Sequence, residues 1–126
     1  KIWDTCGEEK YRTITRQYYR DSKGVLLVFD LTSLISFEKL QEWYDDVMNC
    51  GPKDMIIGLA GNKKDLPERE VTEGMIKEFL NEHPEIEYTE TSALTGEGVT
   101  EAFKKLAEKL VKLRNQKKSK ANIFIL

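Results

Sequence analysis

Met55-Ile56-Ile57-Gly58-Leu59-Ala60-Gly61-Asn62-Lys63-Lys64-Asp65 is an apolar run that stops at a polar loop, and its reading decides the fold. Gly24-Val25-Leu26-Leu27-Val28-Phe29-Asp30 has the same form. Short, nearly continuous apolar runs suit strands buried on both faces, as in a parallel sheet. Between the two, residues 34–48 set Phe37, Leu40, Trp43, Tyr44 and Val47 at helical spacing. Thr32 or Ser33 caps that helix, and Gly51-Pro52 stops it.

The pattern then repeats. After a loop containing Pro67, residues 72–81 put Met75, Ile76, Phe79 and Leu80 on one side of a helix whose start is signalled by Thr72. A short strand over 86–89 leads into Thr91-Ser92-Ala93, and a last helix over 99–115 carries the stripe Val99, Ala102, Phe103, Leu106, Leu110 and Leu113. At the front, Lys1-Ile2-Trp3-Asp4 reads as the end of a strand whose beginning is absent. Strand and helix in alternation predict an α/β fold, a mostly parallel sheet with helices on both faces. Ligands bind such sheets at the carboxyl ends of the strands.

The whole chain sets the bounds. Its 126 residues suffice for one core, and 40% hydrophobic residues with a net charge of -2 describe a globular protein. The near balance of charge gives no reason to expect a nucleic-acid partner. Cys6 and Cys50 lack CxxC spacing and read as reduced thiols of an intracellular protein. No apolar run approaches the roughly 20 residues of a membrane-spanning helix. Residues 1–115 form the expected domain, and 116–126 a tail, basic and then apolar. Lys112, Arg114, Lys117, Lys118 and Lys120 precede Ile123-Phe124-Ile125-Leu126. That tail suits either a solvated, frayed helix end or at most peripheral contact with an anionic membrane.

Three loops follow predicted strands: Asp4-Thr5-Cys6-Gly7, Asn62-Lys63-Lys64-Asp65 and Thr91-Ser92-Ala93. In this order and spacing they resemble the motifs of Ras-superfamily small GTPases. Ile2-Trp3-Asp4-Thr5, Tyr11-Arg12-Thr13-Ile14-Thr15, Tyr18-Tyr19-Arg20 and Val28-Phe29-Asp30-Leu31-Thr32 narrow the resemblance to the Rab type, over residues 1 to about 112. The resemblance implies GTP/GDP and Mg2+ as cofactors and a switch acting in vesicle traffic on the cytoplasmic face of endomembranes. It also implies effector, exchange-factor and GTPase-activating partners meeting the 3–19 region, with Trp3 and Tyr18 as aromatic contacts.

Particular residues inherit roles from the resemblance. Asp65 accepts two hydrogen bonds from guanine, from its ring N–H and its amino group. Adenine offers neither, so the wrong base leaves a charged acceptor unpaired. Asn62 bonds the other edge of the base and ties the loops together, while the stem of Lys63 lies along the base plane. Backbone N–H groups around Ser92, Ala93 and Leu94 meet the guanine carbonyl. Asp4 reaches the magnesium ion, and Gly7 lets the backbone approach the terminal phosphate.

Two departures stand beside these matches. The family's catalytic glutamine is here Glu8, which cannot donate the same hydrogen bond and adds negative charge beside a phosphate, so slow hydrolysis is expected. Cys6 in place of the usual alanine is a mild change. Nowhere do the 126 residues contain GxxxxGK[ST], and the switch threonine is missing. The first strand, first helix and second strand of the family fold are therefore missing. A lost central strand exposes two sheet edges, so the chain alone is expected to be unstable, aggregation-prone or swapped with another copy. Three readings compete: a Rab-like GTPase, a nucleotide-binding-deficient protein-interaction module, and an unrelated flavodoxin-like domain. The ordered motifs disfavour the third.

Overall fold

The computed structural model describes residues 1–5 and 8–125, with the backbone alone at 9, 12 and 118–125. A short 3-10 turn, Glu9–Tyr11, leads into α1, Arg12–Asp21. Next come β1, Gly24–Asp30; α2, Leu34–Glu38; α3, Leu40–Cys50; and β2, Ile56–Asn62. The chain continues with α4, Glu73–Glu82; β3, Glu87–Glu90; and α5, Val99–Ile125. All three strands are parallel, in the order β1-β2-β3, and Asp30 stands level with Asn62 at the end of the β1–β2 register.

The fold is α/β with helices on both sheet faces. Val25, Leu27 and Phe29 share a face with Ile57 and Leu59, because strand residues alternate and the register is Val25↔Ile57. That face meets Leu40 and Val47 of α3 and Ile76 and Phe79 of α4 in one buried cluster. Phe37, packed against it, meets both Phe29 and Phe79 edge to face. Each fully buried leucine there contributes about 1.5–3 kcal/mol. On the opposite face a Cβ at Gly24 would fall 3.2 Å from Leu110 and 3.4 Å from Leu106 of α5, whereas one at Gly58 would crowd Leu26 at 3.1 Å. Glycine at 24 lets α5 approach the sheet.

Four details differ from the sequence expectation. The segment Lys1-Ile2-Trp3-Asp4 is not a strand, because among the described residues no strand lies beside it to take its hydrogen bonds. Residues 12–21 form a helix that hydrophobic spacing did not reveal. It packs on α3 through buried Thr15 and Tyr19 and through Arg16, whose guanidinium pairs with Asp46 at 2.8 Å. The helix expected over 34–48 is interrupted at Lys39, whose ψ of -9° departs from helical geometry. Finally, α5 runs past 115 to Ile125, since no glycine or proline follows to stop it.

The expected caps hold. Ser33 accepts from Ser36 N–H and Thr72 from Met75 N–H, while Gly51 closes α3 by donating to Val47 O at 2.8 Å. On its outer side β1 has no neighbouring strand among the described residues, and Val28 is 58% exposed.

Candidate functional site

The loops after β2 and β3 lie side by side because their strands pair up to Gly61↔Glu90. Backbone bonds continue the pairing past the strands. Thr91 N–H donates to Gly61 O at 2.8 Å, and Lys64 N–H donates to Thr91 O at 3.0 Å. Side chains then lock the two loops together. Asn62 Oδ1 accepts from the Thr91 hydroxyl at 3.1 Å and from Ala93 N–H at 3.0 Å. Ser92, 0% exposed, donates its hydroxyl to Asp65 Oδ1 at 2.5 Å and accepts from Thr95 N–H at 3.1 Å. A buried hydroxyl satisfied as donor and acceptor has one orientation, so it aims the Asp65 carboxylate.

Two backbone features shape these loops. Lys63 has φ of +65°, in the left-handed region that costs an ordinary residue on the order of 1–2 kcal/mol. It turns the chain sharply between Asn62 and Asp65, and Leu66 N–H closes the turn on Lys63 O at 3.0 Å. Gly98 has φ of +73° and sits so close to Glu90 O that a Cβ there would fall 2.1 Å from it. Only glycine lets the 92–97 loop close before α5, through Ser92 N–H to Glu97 O and Gly96 N–H to Ser92 O.

Charge organises the rim. Asp30 Oδ2 pairs with Lys63 Nζ at 2.6 Å, and its Oδ1 accepts from Thr32 N–H and the Thr32 hydroxyl. Burial pushes the Asp30 carboxyl up, but Lys63 and the Thr32 donors outweigh it and hold it below its ordinary value. Lys64 pairs with Glu97 across the two loops. Arg69 grips Glu90 with two parallel bonds, at 2.9 and 2.7 Å, and holds that carboxyl below its ordinary value despite burial. The sequence reading missed Asp30, Thr91 and Glu97 in these roles. The position of Asp30 at the end of an apolar run, like Asn62, was the available signal.

The structure thus gathers Asn62, Lys63, Asp65, Ser92, Ala93 and Leu94 at one end of the sheet. Within this group Lys63 is engaged with Asp30, and Ala93 N–H with Asn62. The neighbouring Leu94 is 83% exposed. Asp4 and Glu8 are not joined to this group by any hydrogen bond or ion pair among the described residues. Asp4 and Thr5 instead line a groove of about 270 Å³ with Tyr11, Ile14, Thr15 and Tyr18 of the following turn and helix. Trp3 stacks obliquely on Tyr18, with ring centroids 5.4 Å apart. Glu8 is exposed and pairs with Lys10 at 2.9 Å. Gly7 and Cys6 lie outside the described residues.

Among the described residues no group of three or more His, Cys, Asp or Glu is placed to hold a metal ion. Nor, among them, is any helix long and apolar enough to cross a membrane.

Comparison with known proteins gives the family. The Ras family model matches residues 1–112. Human and rat Ras-related protein Rab-4B are each 46% identical to the chain over 112 residues, which is 88% of this chain and 52% of theirs. Zebrafish (Danio rerio) Ras-related protein Rab-4A is also 46% identical, with the same coverage. The chain spans about half the length of the curated relatives it matches.

Proposed function

The chain belongs to the Ras family and is of the Rab type, and on that premise we propose that its strand-end loops are the base-recognising part of a GTP/GDP switch. The observation that carries this reading is the mutual bracing of Asn62 and Asp65 by Thr91, Ser92 and Ala93. One loop holds an amide and a carboxylate in fixed positions, so recognition needs no reordering when a base arrives. The donor set fits guanine. Asp65, exposed and oriented through one oxygen, accepts from the ring N–H and amino group; Lys63 offers its stem to the base plane. Because Ala93 N–H is engaged with Asn62, exposed Leu94 supplies the neighbouring backbone donor for the guanine carbonyl.

For phosphates and magnesium the residues present do not fit by themselves. Asp4 lies in a groove against α1 rather than in a cluster of ligands, and the sequence has no GxxxxGK[ST]. No step through the metal follows from these residues. GTP hydrolysis is accordingly a proposal for the whole protein, with Glu8 as the altered residue. Two unit charges 4 Å apart at an effective dielectric near 20 repel by about 4 kcal/mol. A carboxylate beside the terminal phosphate therefore slows the reaction. In a version of the protein carrying the phosphate loop, Glu8→Gln is expected to raise the single-turnover rate at least tenfold, and no gain would overturn this role.

Base recognition is testable on the 126-residue chain without phosphates. Saturation-transfer NMR is expected to detect guanosine at millimolar concentration, to detect no adenosine, and to lose the guanosine signal in Asp65→Ala. Equal binding of both nucleosides by the unmodified chain contradicts the assignment. Tight, magnesium-dependent GDP binding would instead overturn the claim that the phosphate cradle is incomplete.

A protein-interaction role is favoured by a second observation. Tyr11, Ile14 and Tyr18 are exposed large hydrophobics lining the front groove, and exposed Trp3 stacks on Tyr18. Such a patch marks a binding surface. It suits the effectors and regulators of a switch in vesicle traffic at the cytoplasmic face of endomembranes. The division into a domain at 1–115 and a tail at 116–126 belongs to the same proposal.

A further inference from the structure

A second groove, of about 460 Å³, opens between α4 and β3, which among the described residues is an edge strand of the sheet. It shares no lining residue with the front groove. Its floor is apolar: Ile76 and Leu80 stand one turn apart on α4, and Tyr88 faces them from β3. That floor is fixed in place. The Tyr88 ring stacks on Phe29, and a Cβ at Gly61 would fall 2.5 Å from its hydroxyl, so glycine there seats the ring before any partner arrives.

Charge gives the groove a sign. Residues 73–90 hold six glutamates and one lysine, a net of -5 against -2 for the whole chain, so the other 108 residues carry +3. Part of this is answered within the molecule, since Arg69 binds Glu90 and Lys109 binds Glu87. Glu73, Glu78 and Glu82, all on α4, make no ion pair among the described residues. Glu73 lies on the rim with Asn81 and Glu90, and Lys77 is the cation beside them. The Tyr88 hydroxyl is held above its ordinary pKa, first by burial and then by the charge of Glu90, as an apolar site of negative potential requires.

The outer edge of β3 is not itself the binding element. Lys105 Nζ donates to Tyr88 O at 3.4 Å and Lys109 Nζ to Glu85 O at 2.9 Å, so lysines of α5 already occupy carbonyls that an added strand needs. What remains open is the trough, which takes side chains.

We propose that the α4–β3 groove is a docking site for a basic and apolar segment of a protein partner. The segment sets one bulky apolar side chain on Leu80 and Tyr88 and turns flanking Lys or Arg toward Glu73 and the other carboxylates of α4. Opposite charge steers and orients it, and burial of the apolar side chain holds it. The same charge repels nucleic acid and anionic lipid, which leaves protein as the class of partner. This assignment does not rest on nucleotide recognition.

The test is selection of a random peptide display library on the 126-residue chain, with recovered peptides mapped by amide chemical shifts. Recovered peptides are expected to carry Lys or Arg beside Leu, Phe or Trp and to shift Ile76, Leu80 and Tyr88. Their binding is expected to weaken as salt rises from about 0.05 to about 0.3 M. Glu73→Gln and Asn81→Arg, on the rim, each lower affinity about two- to fivefold. Glu78→Gln, which removes a charge outside the groove, changes it by less than about twofold. All three positions are exposed, so the fold is spared. Should a variant fail to fold, the shift map and salt dependence of the unmodified chain decide. Recovery of acidic or uncharged peptides, recovery of none, or shifts confined to the front groove would each overturn the proposal. So would a dimer, seen by sedimentation equilibrium, that Asn81→Arg dissociates, because the occupant would then be a second copy.

Discussion

The strand-end loops and the front segment carry the two halves of one functional assignment, and they are built differently. Asn62, Asp65, Thr91, Ser92 and Ala93 follow paired strands, and hydrogen bonds between two loops hold them. Residues 1–5 have no regular structure, and their clearest contact is Trp3 leaning on Tyr18. The first region is held in a pre-set geometry; the second exposes apolar surface. The proposed switch uses both kinds, one constant in either state and one free to reorder.

Removing the joint between the loops is the harshest way to break this contrast. Asn62→Ala deprives the buried Thr91 hydroxyl and Ala93 N–H of their acceptor, and is expected to cost about 1–3 kcal/mol in chemical denaturation. An unchanged midpoint would mean that the loops are held by their strands alone. A subtler probe concerns Lys63. Substitution by Gly or by Ala removes the pairing with Asp30 equally, but only Gly tolerates φ of +65° freely. Lys63→Gly is therefore expected to be about 1 kcal/mol more stable than Lys63→Ala, and equal stability would mean that the turn relaxes when the lysine is lost. The smallest effect is expected at the front. Trp3, 60% exposed, loses little on truncation, so Trp3→Ala is expected to change stability by less than about 1 kcal/mol. A loss above about 2 kcal/mol would place the front segment in the core and erase the contrast.

Much of the sheet was legible because buried parallel strands are apolar throughout. The runs ending at Asp30 and Asn62 needed no other context, and Ser33, Thr72 and Gly51 marked helix ends by their own chemistry. Helix α1 was not legible. Arg12, Arg16, Arg20 and Asp21 crowd its short stripe, and Thr15 and Tyr19 are buried only because α3 lies beside them. The front strand was misread for a related reason. Sequence reports that Ile2 and Trp3 favour extended structure, but a strand exists only where a neighbour accepts its hydrogen bonds.

At the site, the family resemblance pointed to Asn62, Lys63, Asp65, Ser92, Ala93 and Leu94, which the fold sets together at one end of the sheet; that they read a guanine base is the proposal made above. It also revealed Glu8 where the family has glutamine, and the lack of GxxxxGK[ST]. Only tertiary structure decided that Ser92 aims Asp65, that Asn62 serves as the joint, and that Asp30 holds Lys63. Each of these depends on which residues of separate strands stand level. That register is set by packing between β1, β2 and β3, and no local stretch of sequence contains it.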